Sequence, residues 1–126
     1  MINLKEYFLI NISPNHVRVE NLKTHEFREK GLEFGNKRLL ITDMNVPEST
    51  LRQLIAELSS PSFIRLSRTI IINPFHPHIL AFSEVEKMAF RDMAEHLGAR
   101  IVLFKFGETV TGRQLNISSL RSLSEV

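Results

Sequence analysis

The chain has 126 residues, of which 43% are apolar and 24% charged, with a formal net charge of +2. That is one domain's length with enough apolar side chains to fold unaided, which excludes a disordered chain. The charge is too small for the basic stripe of a nucleic-acid binder, and the lack of cysteine excludes disulfides, zinc–thiolate sites and thiol catalysis.

Residues 7–13 read as a first strand, and Pro14-Asn15 as a turn. Residues 16–21 alternate, with Val17 and Val19 on one face and Arg18 and Glu20 on the other, the period of a half-buried strand. The two segments form a hairpin. A third extended piece covers about residues 26–34, with Phe27, Leu32 and Phe34 apolar and Gly31 placed for a bulge. A turn at Gly35-Asn36 and a short extended piece over residues 38–42 follow. The apolar run at residues 7–12 is too short for a signal peptide core, and nothing approaches the roughly 20 apolar residues of a span. The expectation is a cytoplasmic protein with no membrane span.

A first helix is expected from Asn45, with Glu48 at the spacing of a capping box and Pro47 tolerated in the first turn. Leu51, Leu54, Ile55 and Leu58 fall at i, i+3, i+4 and i+7, one apolar face, and Ser59-Ser60-Pro61 ends the helix. Residues 69–72 are an unbroken β-branched run, which suits a central parallel strand buried on both faces. Asn73-Pro74 stops it, and a loop through Phe75, His76, Pro77 and His78 follows. A second helix starts at the cap Ser83, with Glu86 completing the box. Val85, Met88, Ala89, Met93 and Leu97 line its expected apolar side, and Gly98 stands where a left-handed residue ends a helix. Residues 101–104 form the next strand. The tail, residues 109–126, is polar and serine-rich with Leu115, Ile117, Leu120 and Leu123 interspersed, so it forms a weak helix or lies along the domain. The fold class is therefore α/β: a single domain with a mixed sheet, antiparallel where the hairpins are and parallel at the two crossovers.

This strands–helix–strand–helix–strand order is similar to that of the ribonuclease-H-like unit of actin-like proteins. Two stretches add to the likeness. Ile41-Thr42-Asp43-Met44-Asn45-Val46-Pro47-Glu48 with Leu51, Leu54 and Ile55 resembles the entry to the first long helix of MreB, the bacterial rod-shape actin. Ser83-Glu84-Val85-Glu86, Ala89, Arg91 and Gly98-Ala99-Arg100 resemble a second MreB segment, with Val102-Leu103-Phe104 in place of that family's following strand. The resemblance implies a short MreB-like protein made of one half-unit over residues 1–108, followed by the tail.

The departures are as informative. Actin-like ATPases carry Asp-x-Gly-Thr after the first strand, where glycine lets backbone N–H groups cradle phosphate. The aligned residues here are Asn11-Ile12-Ser13-Pro14-Asn15, which lack both carboxylate and glycine. The family's Glu-Glu-Pro is replaced by residues of the stretch Lys105-Phe106-Gly107-Glu108, and its second half has no counterpart in these residues. The resemblance therefore implies no cofactor, no catalytic residue and no ATP hydrolysis. What it leaves is an adaptor, scaffold or regulator acting by protein contacts, tied by analogy to bacterial cell-shape or envelope machinery.

Other residues of the chain offer candidate sites. His76 and His78 could start a metal site, but a site needs three or four converging ligands and this pair has no acidic neighbour. Asp43 suits a helix N-terminus. Glu84 and Glu86 could pass for an acid/base pair but fit the first turn of a helix, and Arg91 with Glu95 fits a surface pair. Phe104 and Phe106 are the candidate interaction residues, for a protein partner or a homodimer, unless the tail covers them. Two alternatives stay open: a ribonuclease-H-like nuclease, which needs converging carboxylates, and a small-ligand or metal module at His76 and His78.

Overall fold

The computed structural model describes residues 5–13, 15–31, 45–59, 67–75, 82–115, 117, 120 and 123–125. The strands are β1 (Lys5–Ser13), β2 (His16–Asn21), β3 (Phe27–Gly31), β4 (Ser67–Pro74), β5 (Ala99–Phe104) and a two-residue β6 (Ser124–Glu125); the helices are α1 (Asn45–Leu58) and α2 (Glu84–His96). They form one mixed sheet in the order β3-β2-β1-β4-β5-β6. The β1–β2, β2–β3 and β5–β6 pairs are antiparallel, and β4 runs parallel to both β1 and β5. The expected α/β domain with two helices and a mixed sheet is what the chain forms.

The β-branched run explains the centre. Ile70, Ile71 and Ile72 are all fully buried, because alternate side chains meet cover on both faces. Ile70 and Ile72 join Phe8, Ile10, Ile12, Val17, Val19, Val102 and Phe104 beneath the two helices. Ile71 joins Leu9 and Leu22 on the other face, under Val110, Leu115 and Leu120 of the tail. The tail thus lies across the sheet, the second of its two expected arrangements.

Helix α1 buries Leu51, Leu54, Ile55 and Leu58, the face its spacing predicts. Helix α2 corrects the reading. Its buried residues are Phe90, Met93 and Ala94, with Leu97 at the cap, whereas Val85 and Met88 are 77% and 59% exposed. These two sit on the opposite side of the helix from Phe90 at 100° per residue. The large ring decides the rotation. Phe90 packs edge-on against Phe82 with centroids 5.8 Å apart, burying more apolar surface than a valine could.

The helix ends follow local rules. Ser83 Oγ accepts the Glu86 N–H at 3.2 Å, and Glu86 Oε1 accepts the Ser83 N–H at 2.9 Å, which completes the capping box. Gly98 takes φ +94°, as expected of a left-handed C-terminal residue. At that end Arg68 donates from Nη1 to the Leu97 carbonyl at 2.6 Å, while its Nε meets Glu6 Oε1 at 2.9 Å. Ser59 Oγ donates to the other Glu6 oxygen at 2.9 Å, so one partly buried ion pair ties both helix C-termini to β1 and β4.

The third strand ends at Gly31, which pairs in register with His16 rather than forming a bulge. The expected features at residues 32–42, at Asp43, at Ser60 and Pro61, and at His76, Pro77 and His78 lie outside the described residues, as does the side chain of Asn45. The Glu48 carboxylate serves the helix pair, bonding Arg52 Nη2 at 3.2 Å and His96 Nδ1 at 2.9 Å.

Candidate functional site

The polar centre of the molecule is on the tail-covered face, at the C-terminal ends of β1 and β4. Register places Asn11 beside Asn73 on one side and beside Arg18 on the other. Asn11, Asn73 and Glu20 are 8%, 1% and 3% exposed. Buried polar groups in such a place must be hydrogen-bonded, and these are.

Asn73 uses its full bonding capacity. Its Oδ1 accepts from Asn11 Nδ2 at 2.8 Å and from the Val110 N–H at 3.0 Å. Its Nδ2 donates to the Lys105 carbonyl at 2.8 Å and the Glu108 carbonyl at 3.1 Å. An amide side chain has two donors and two lone pairs on oxygen, so all four positions are filled. Asn11 Nδ2 also donates to the Val110 carbonyl at 2.8 Å, and its Oδ1 accepts from Arg18 Nη1 at 3.5 Å.

Glu20 continues the row. Its Oε1 accepts from Arg18 Nη1 at 2.8 Å and from the Gly112 N–H at 3.1 Å, and His25 Nδ1 stands 3.5 Å from Oε2. Arg18 is held from the far side by the Phe27 ring, 4.2 Å from its guanidinium carbon to the centroid. The charge that alternation assigned to solvent is therefore internal. Sequence reasoning missed it because the tail, not water, covers this face; the signal was two asparagines and a glutamate at inward positions of strands whose neighbours are apolar.

Beside this row is a cleft of about 130 Å³, lined by Asn11, Ser13, His16, Arg18, Phe75 and Thr111 among others. That is below the roughly 300–1,000 Å³ of small-molecule pockets. Arg18 faces it with its charge already matched by Glu20, and Glu29 lies 4.0 Å away, so the cleft is not an anion trap.

The remaining candidates divide. Glu86 is the capping residue described above, and Glu84 pairs with Lys87 at 3.4 Å, so the two carboxylates serve the helix start. Arg91 and Glu95 form the expected i, i+4 pair at 3.7 Å. Among the described residues no three His, Asp or Glu side chains gather where a metal could bind. Phe104 is 2% exposed and stacks on Phe106 with centroids 5.3 Å apart, under the start of α2. Of this pair only Phe106 keeps exposed surface, and the tail leucines cover the opposite face. No helix among the described residues is long and apolar enough to cross a membrane.

Compared with known proteins, the chain matches no family model, no curated protein and no solved structure.

Proposed function

We infer that this is a non-catalytic, actin-like protein of the MreB-related type, acting as an adaptor, scaffold or regulator through protein contacts in bacterial cell-shape or envelope machinery. One observation carries the reading. The side chains at the ends of β1 and β4, where an ATPase of that resemblance would hold phosphate and metal, spend their hydrogen bonds on residues 105–110 of their own chain. Asn11 has the position of the lost carboxylate, and the chain's own backbone has the position of a ligand.

The strand order β3-β2-β1-β4-β5, with β1 to β3 antiparallel and β1, β4 and β5 parallel, supports a ribonuclease-H/actin-type half-unit. A nuclease of that fold would need several carboxylates converging on metal. Here Glu20 is the carboxylate of the polar row, and it is bound by Arg18 and Gly112.

The test is thermal unfolding with and without magnesium-ATP. A nucleotide present at about one hundred times its Kd adds about 2.7 kcal/mol, several degrees in Tm for a domain of this size. The expected result is no change in Tm. A shift of several degrees would overturn the reading.

A further inference from the structure

We draw no further inference here: the strongest candidate, the cleft at the C-terminal ends of β1 and β4 between Ser13, His16, Arg18 and Phe75, carries nothing, because Asn11, Ser13, Arg18 and Thr111 on its walls already bond within the chain and nothing in the structure shows what would enter it.

Discussion

The two faces of the sheet are sealed by different means. On one, two helices lay Leu51, Leu54, Ile55, Phe90 and Met93 onto an apolar surface with few polar groups. On the other, a tail whose residues 109–115 lie outside helix and strand is pinned at three points by buried amides and a carboxylate, and its leucines close the rest. The first face is made by area and is non-directional; the second is made by direction, and tolerates little change in the groups that aim it.

Substitutions should separate these regimes. The largest effect is expected for Phe90→Ala, which leaves a cavity in the helix-side core; urea unfolding should show a loss of about 3–5 kcal/mol. Asn73→Ala comes next, at about 3 kcal/mol, because it leaves partners of four hydrogen bonds without the side chain that joins them. A loss as small as that of a surface mutant would show that water replaces the amide, and would break the contrast between the faces. Leu115→Ala should cost about 2 kcal/mol and should raise exchange in the tail more than in β1 or β4. Ser83→Ala should lower stability by about 1 kcal/mol through loss of the cap. Arg91→Ala, at an exposed i, i+4 pair, should change it by less than about 0.5 kcal/mol.

Much of the helix-side architecture was legible in the sequence. The α1 stripe, the Ser83–Glu86 box, Gly98 and the isoleucine run each obey a local rule, and the structure follows all four. The α2 rotation was misread because Val85 and Met88 fit a helical spacing as well as Phe90, Met93 and Ala94 do; only the packing of Phe90 on Phe82 decides between them. The polar row was not legible, since strand alternation tells which residues share a face but not what covers that face. Asn73 read as a strand terminator, and Glu20 as a solvent-facing charge. Their partners, Val110 and Gly112, lie 37 and 92 residues further along the chain, beyond any local pattern.

The two-residue strand at the end of the tail has a mechanical consequence. Because β6 joins β5 at the sheet margin, while β1 is clasped by β2 and β4 along its length, the terminal segments meet tension differently. A force drawn between β1 and β6 loads both from the start, and β6, held by two residue pairs at the sheet margin, gives way before β1, which is held in shear along its length. The polypeptide could thus yield slack early under pulling while its helical half kept its shape.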